Sequence, residues 1–165
     1  MNDTSVGKKA ENKIKLWLDH PENGWCFDRI PDQLSGFYGS SNICDFTFYK
    51  KPYMYFIESK ATYHDRFDFS MLSDTQRNGL VAKDKIDGVH GLVIVLFAEY
   101  KRAFILSATD IWRCLSQNIT KSLNIKKIEK WPIKYAEIET IPSRKELLDY
   151  TGDIEDYIKQ IYSED

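Results

Sequence analysis

Residues 44–62, CDFTFYKKPYMYFIESKAT, place charged side chains in an otherwise aromatic pair of predicted strands. Asp45 lies on the first strand, and Glu58 and Lys60 lie on the second. Side chains alternate between the two faces of a strand, so Glu58 and Lys60 share one face. Two carboxylates that converge repel each other unless a proton or a cation lies between them. These residue types together suit a hydrolytic metal site.

The register of the hairpin decides which face Asp45 occupies. A two-residue turn flanked by Tyr49 and Pro52 pairs Asp45 with Phe56. Asp45 then shares the face of Glu58 and lies diagonal to it, at a Cα separation of roughly 7–8 Å. A loop of odd length or a β-bulge would reverse this parity and separate the two carboxylates.

Carboxylate oxygens favour a hard divalent ion, Mg²⁺ or Mn²⁺, which keeps several of its waters. Such an ion lowers the pKa of a bound water and stabilises charge on a phosphoryl oxygen. Lys60 is placed to hold the attacking water or to neutralise the phosphate. The three side chains therefore predict phosphodiester hydrolysis. The alternative is a cross-strand ion pair on a solvated face, although Glu58 falls in an apolar stretch where charge is costly.

The composition predicts one domain over residues 1–165, with a core over about 5–115 and a C-terminal strand and helices over 116–165. The net charge of −2 neither indicates nor excludes a nucleic-acid-binding protein. The three cysteines lie far apart, as expected for reduced thiols in a cytoplasmic protein. There is no signal-peptide pattern, and the longest apolar run, residues 91–98, is too short to span a bilayer.

The elements that would position these side chains follow from periodicity and capping signals. We predict an α/β fold, a mixed sheet flanked by helices. The predicted helices cover about 6–19, a segment after the capping box of Ser73 and Gln76, a segment capped by Thr109, 143–150 and 153–162. The predicted strands cover about 25–30, 42–49, 53–62, 90–100, 102–108 and 136–141. Residues 63–72 are predicted as a connector.

The ordered set of motifs resembles the PD-(D/E)xK nuclease superfamily and, within it, the RecU-type Holliday junction resolvases. Asp45, the hairpin and Glu58-Ser59-Lys60 match the metal-site hairpin of that superfamily. FDFSMLSDTQRNGL and GLVIVLF…RAFILSATDIW then follow in the RecU-type order, so the resemblance runs from about residue 5 to 112. It implies a restriction-endonuclease-like fold and a nuclease activity.

The resemblance also implies a role for each matching residue. Asp45 and Glu58 would bind Mg²⁺ or Mn²⁺ together with the backbone carbonyl region beside Glu58, and Lys60 would be the catalytic lysine. Gln76 would match a glutamine whose amide holds the water or a phosphate oxygen. Glu11 would match the acidic residue on the first helix that completes the metal sphere. A capping role for Gln76 and an ordinary exposed position for Glu11 are the alternatives.

Several basic side chains near this predicted site are candidates for contacts with DNA phosphates. A solvated protein surface is the alternative interpretation for them. A second basic stretch, NIKKIEK over residues 124–130, has no assigned use. The candidates are Lys8, Lys9, Lys13 and Lys15 on the first helix, Arg29, and Arg66.

These inferences predict a Mg²⁺-dependent DNA endonuclease, a RecU-like Holliday junction resolvase of recombination and repair, in the cytoplasm of a bacterial cell or phage-infected host. Its partner would be branched DNA, and symmetric cutting of two strands predicts a homodimer. The short region before Asp45 leaves little room for the protruding stalk of RecU, which suggests a small phage-type relative. The alternatives are a restriction-type or other structure-selective nuclease on the same fold, and a catalytically inactive DNA-binding module.

Overall fold

The computed structural model describes residues 3–31, 42–143 and 148–163. Its helices are α1 (Asp3–Leu18), α2 (Asp74–Asp84), α3 (Ala108–Ser116) and α4 (Ile154–Tyr162). Its strands are β1 (Cys26–Arg29), β2 (Phe46–Lys50), β3 (Tyr53–Thr62), β4 (Arg66–Asp68), β5 (Val89–Phe97), β6 (Arg102–Ser107), β7 (Ser122–Asn124), β8 (Tyr135–Glu137), β9 (Thr140–Pro142) and β10 (Leu148–Tyr150).

Six of these strands form one mixed sheet in the order β1-β2-β3-β5-β6-β8. β3 and β5 pair in parallel, and the other neighbours in this sheet are antiparallel. Helices α1 and α4 pack on one apolar cluster, and helices α2 and α3 pack on a second. The predicted α/β architecture of a mixed sheet flanked by helices is confirmed.

The apolar run that forms β5 is covered on both faces of the sheet. Leu92 and Ile94 pack into the cluster beneath α1 and α4, whereas Val93 and Val95 pack into the cluster beneath α2 and α3. Helix α2 approaches β5 so closely that a Cβ at Gly91 would collide with the backbone of Leu80. This strand therefore supports β3, its parallel neighbour, which carries the acidic and basic residues discussed above.

The predicted register of the β2–β3 hairpin is wrong by two residues. The turn consists of the two residues between Lys50 and Tyr53, so that Phe46 pairs with Ile57. The turn has the predicted length of two residues but lies one residue further along the chain, at Lys51 and Pro52. A shift of two residues preserves the alternation of faces within the paired residues 46–50, and Asp45 itself lies just outside this ladder.

Three local predictions also differ from the structure. The predicted connector 63–72 contains β4, which pairs with β7. The segment 143–150, predicted as a helix, ends in β10, which pairs with β9; residues 144–147 lie outside the described ranges. Helix α3 is capped by Ser107 rather than by Thr109, because the Thr109 hydroxyl donates instead to Asp84.

Among the helices that the structure describes, none has both the length and the apolar character needed to cross a bilayer.

Candidate active site

Asp45 and Glu58 bring their carboxyl groups together just beyond the end of the β2–β3 ladder. Phe46 and Ile57 form the last paired positions, and one step further the Asp45 N–H donates to the Ile57 carbonyl at 3.1 Å. Ile57 is thus contacted by both Asp45 and Phe46, so the regular register ends at Phe46 and Asp45 departs from it as in a β-bulge. The two carboxyl groups are nevertheless close enough that hydrogen bonding with Asp45 raises the pKa of Glu58.

The backbone of β3 holds the Asp45 carboxylate in place. Oδ2 of Asp45 accepts a hydrogen bond from the Ser59 N–H at 2.9 Å, where the next bond of the ladder would otherwise form. The Asp45 carbonyl accepts from the Ile30 N–H at 2.7 Å, which ties this residue to the end of β1. The Ser59 contact could not be predicted from local sequence patterns, since it depends on where the two strands separate.

Glu58 is 2% exposed, and its Oε2 has no hydrogen-bond partner among the described residues. The pKa of Glu58 is raised to about 10, chiefly by burial and then by hydrogen bonding with Asp45 and the charge of Asp45. Without a cation, this carboxyl group therefore carries a proton at neutral pH. A buried carboxyl oxygen without a partner, beside a second carboxylate, fits the oxygen ligation of one hard divalent ion.

Lys60 is half-buried on the same face of β3, two residues beyond Glu58. Its positive charge lowers the pKa of Glu58, in opposition to burial and Asp45. An ammonium group therefore lies within electrostatic range of the paired carboxyl groups.

Glu11 reaches the same neighbourhood from α1. Its charge raises the pKa of Glu58, which places it within electrostatic range of that carboxyl group. Its Oε2 accepts a hydrogen bond from Arg29 at 3.1 Å, so Glu11 and Arg29 form an ion pair.

Within the described ranges, no three His, Cys, Asp or Glu side chains are grouped so that they alone could hold a metal ion. Asp45 and Glu58 would thus require backbone or water oxygens as further ligands.

Gln76 forms the predicted capping box at the start of α2. Its Oε1 accepts from the Ser73 N–H at 3.0 Å, and its own N–H donates to the Ser73 hydroxyl at 3.1 Å. This capping role was the alternative interpretation of Gln76. The capping box uses the amide oxygen of Gln76 as an acceptor, whereas its side-chain NH₂ group takes no part in the cap.

The lysines of α1 differ in their exposure. Lys8 and Lys15 are exposed, and helical spacing places them on the side of α1 that carries Glu11. Lys9 is half-buried. Lys13 departs from the predicted basic surface, because it is 8% exposed and its amino group donates to the Leu148 carbonyl. Helical spacing turns Lys13 toward the chain around β10, away from solvent.

Cys44 is a buried neighbour of the carboxyl pair that sequence analysis did not single out. Burial, followed by the charge of Glu58, raises the pKa of Cys44 to about 12. Its thiol donates to the Phe46 carbonyl at 3.3 Å. Cys44 is therefore a neutral packing residue rather than a nucleophile.

None of the curated proteins compared with this chain matches it. Among solved structures, the chain is similar to Hjc of Archaeoglobus fulgidus, described as a Holliday junction resolvase from an archaeal hyperthermophile, with 15% sequence identity and a TM-score of 0.49. That similarity covers 74% of this chain and 92% of Hjc. The family model RecU, Recombination protein U, matches residues 29–156, which include Asp45, Glu58, Lys60 and Gln76. The resemblance drawn from the motifs is confirmed, and the chain belongs to the RecU family.

Proposed function

We propose that this protein is a divalent-metal-dependent DNA endonuclease that resolves Holliday junctions in recombination and repair. Membership of the RecU family supports the substrate class. The observation that carries the chemistry is the proximity of Asp45 to a buried Glu58 whose Oε2 has no partner within the described ranges. An ionised Glu58 buried beside a second carboxylate is costly unless a cation offsets its charge.

Asp45 and Glu58 would hold one Mg²⁺ or Mn²⁺ ion. In a β-strand the N–H and C=O of one residue point to the same side, so the Ser59 carbonyl faces the side from which its N–H reaches Asp45. That carbonyl is the third protein ligand in this proposal, and waters complete the shell. Glu11, paired with Arg29, would act through one of those waters. The bound ion supplies a water of lowered pKa and offsets charge on the phosphate.

The side chains around the carboxyl pair would orient the substrate. Lys60 donates to the attacking water or to a non-bridging phosphate oxygen and neutralises developing negative charge. The side-chain NH₂ of Gln76 donates to the same water or phosphate while its oxygen caps α2. Lys8 and Lys15, exposed on α1, contact phosphates on either side of the scissile bond.

The substrate would be branched DNA in the cytoplasm. Symmetric cutting of two strands of a junction requires two active sites related by a twofold axis, so we propose a homodimer. A restriction-type nuclease, or another structure-selective nuclease, would use the same carboxyl pair on a different DNA shape.

A cleavage panel tests this proposal. Labelled four-way junction, flap and linear duplex DNA are incubated with and without Mg²⁺, using the wild type, Glu58→Gln and Lys60→Ala. Glu99→Gln, at an exposed glutamate outside the site, is the matched control. We expect Mg²⁺-dependent cutting of the junction that both active-site variants reduce about 100-fold or more. Preferential cutting of linear duplex would support the restriction-type alternative. Binding with no cleavage of any substrate would indicate an inactive DNA-binding module.

A further inference from the structure

A groove of about 440 Å³ lies beside β4 and β7, next to the 3₁₀ segment Ile125–Lys130. Three cationic side chains line it, from Arg66, Lys127 and Lys130, together with Thr120 and Ser122. No carboxylate belongs to the lining residues that the structure describes. The groove therefore offers positive charge and hydroxyl groups to a ligand.

Backbone pairing joins the two distant segments that form this groove. Arg66 of β4 pairs with Asn124 of β7. The Ile125 N–H donates to the Asp65 carbonyl at 2.8 Å, and the Phe69 N–H donates to the Lys121 carbonyl at 2.9 Å. The backbone segments that carry the cations of the groove are therefore held together by hydrogen bonds.

Trp131 forms a fixed wall of the groove. Its indole N–H donates to the Asn124 carbonyl at 2.8 Å. Its ring packs against Phe104 and Tyr135, with ring centroids 5.0 and 5.1 Å away. These contacts hold the ring, so this wall of the groove is in place before a ligand binds.

The segments 64–68 and 120–131 carry five Lys and Arg residues against three Asp and Glu residues, although the whole chain has a net charge of −2. Two of those three carboxylates already have partners within the protein. Asp65 accepts from Tyr100 and pairs with Lys126 at 3.1 Å, and Asp68 accepts from the Ser70 N–H at 3.0 Å. The groove is thus a local positive surface on an acidic protein, which favours a polyanionic partner.

The groove lies close to the candidate active site along the chain. Arg66 follows Lys60 by six residues, which span at most about 20 Å when fully extended. Successive phosphates of one DNA strand advance about 3.4 Å along the helix axis. Arg66 therefore lies no further from Lys60 than about six base pairs of DNA extend.

We propose that this groove binds the phosphodiester backbone of DNA at a point away from the scissile phosphate. The identity of the ligand as DNA rests on the proposed function. Arg66, Lys127 and Lys130 contact phosphate oxygens, with the hydroxyl groups of Thr120 and Ser122 beside them. Contacts of this kind set the position of the duplex and carry no base specificity. They assign a use to the basic stretch 124–130.

The test compares two double variants of equal charge change. Lys127→Gln/Lys130→Gln removes two exposed cations of the groove. The control, Lys51→Gln/Lys159→Gln, removes two exposed cations near Tyr53, at the opposite end of β3. Fluorescence anisotropy measures binding of junction and duplex DNA, without divalent ions, from about 50 to about 200 mM salt. Circular dichroism confirms that both variants are folded.

We expect the groove variant to bind DNA about 3- to 10-fold more weakly than the control at low salt. The slope of log affinity against log salt should fall by about 1–2, because each lost phosphate contact removes about 0.9. Equal affinities and equal slopes for the two variants would overturn the groove assignment, as would a wild type that binds no DNA. A protein that binds through the groove yet cleaves nothing keeps this inference and refutes the nuclease proposal. If the wild type cleaves junctions but the groove variant binds DNA as the control does, the nuclease proposal stands and the groove inference is refuted.

Discussion

Asp45 and Glu58 are close neighbours just beyond the end of the β2–β3 ladder but differ in their hydrogen bonding. Oδ2 of Asp45 accepts from the Ser59 N–H at 2.9 Å, whereas Oε2 of Glu58 has no partner within the described ranges. One carboxyl group is thus fixed by the backbone and the other is buried with unused acceptor capacity. This asymmetry leads to predictions about stability as well as catalysis.

Replacing Glu58 with Gln should stabilise the metal-free protein. The pKa of Glu58 is raised from 4.5 to about 10, mainly by burial, so the folded state holds a proton at neutral pH that the unfolded state releases. Stability therefore falls as pH rises above 4.5, and an uncharged Gln removes this loss. We expect Glu58→Gln to raise the free energy of unfolding by about 1–3 kcal/mol at pH 7 in urea denaturation with a chelator.

The gain should shrink as pH approaches 4.5, where the unfolded state also becomes protonated. Glu129→Gln, at an exposed position, provides the control and should change stability little. A Glu58→Gln protein that is less stable than the wild type at pH 7 would show that Glu58 is ionised in the metal-free fold.

His90 should make the fold sensitive to acid. Both ring nitrogens are buried without a hydrogen-bond partner in the described part of the chain, and the ring stacks on Tyr55 with centroids 5.4 Å apart. Burial lowers the pKa of His90 below 6.5, although the charge of Asp84 opposes this. As pH falls below 6.5, the unfolded state takes up a proton that the folded state resists, so stability declines.

We expect His90→Phe to flatten the thermal stability profile between about pH 5 and pH 6.5. His64→Gln, at an exposed histidine, should leave the slope unchanged. An identical slope in the wild type and His90→Phe would exclude His90 as its source.

Asp84 should be a main stabilising contact between α2 and its neighbours. Its Oδ1 accepts from the Gly91 N–H at 3.0 Å and from the Tyr162 hydroxyl at 2.5 Å. Its Oδ2 accepts from Ser107 at 3.0 Å and Thr109 at 2.6 Å. We expect Asp84→Ala to cost about 2–4 kcal/mol in chemical denaturation, because four donors lose their acceptor, and Tyr162→Phe to cost about 1 kcal/mol.

Asp87→Ala, three residues along the chain at an exposed site, is the matched control for Asp84→Ala. Its cost should stay within about 0.5 kcal/mol. Similar losses for the two aspartates would mean that the hydrogen bonds to Asp84 contribute little net stability.

Comparison of variants at Gln76 and Ser73 distinguishes a capping role of Gln76 from a catalytic one, because each residue supplies half of the same capping box. Gln76→Ala and Ser73→Ala should destabilise the protein to a similar extent, about 0.5–1 kcal/mol each. If the Gln76 amide also contacts the water or phosphate, Gln76→Ala should lose about tenfold or more in junction cleavage, and Ser73→Ala should lose little. Equal cleavage by the two variants would leave Gln76 with the capping role alone.

The long central strands could be predicted from the sequence because their patterns are local. The apolar run of β5 and the aromatic and β-branched residues of β3 identify these strands directly, and Ser73 with Gln76 marks the start of α2. The hairpin predicted that Asp45 lies near Glu58, and the two side chains are close although the predicted register was wrong by two residues.

The remaining features depend on contacts between distant segments. β4 and β7 are three residues each, too short to show a periodic pattern, and each is defined by pairing with the other. Lysine is usually exposed, yet the chain at Leu148 covers Lys13 and accepts a hydrogen bond from it. The partnerless oxygen of Glu58 likewise depends on where β2 ends, which no local pattern specifies.

Direct measurement of Mn²⁺ binding tests the central claim, that Asp45 and Glu58 together hold one divalent ion. Calorimetric titrations of the wild type, Asp45→Asn and Glu58→Gln at pH 7 are run in buffers of different ionisation enthalpy. We predict one tight site per wild-type chain, release of about one proton from Glu58 on binding, and at least about tenfold weaker binding in each variant. A wild type that binds no Mn²⁺, or variants that bind it as tightly and with the same proton release, would contradict the account.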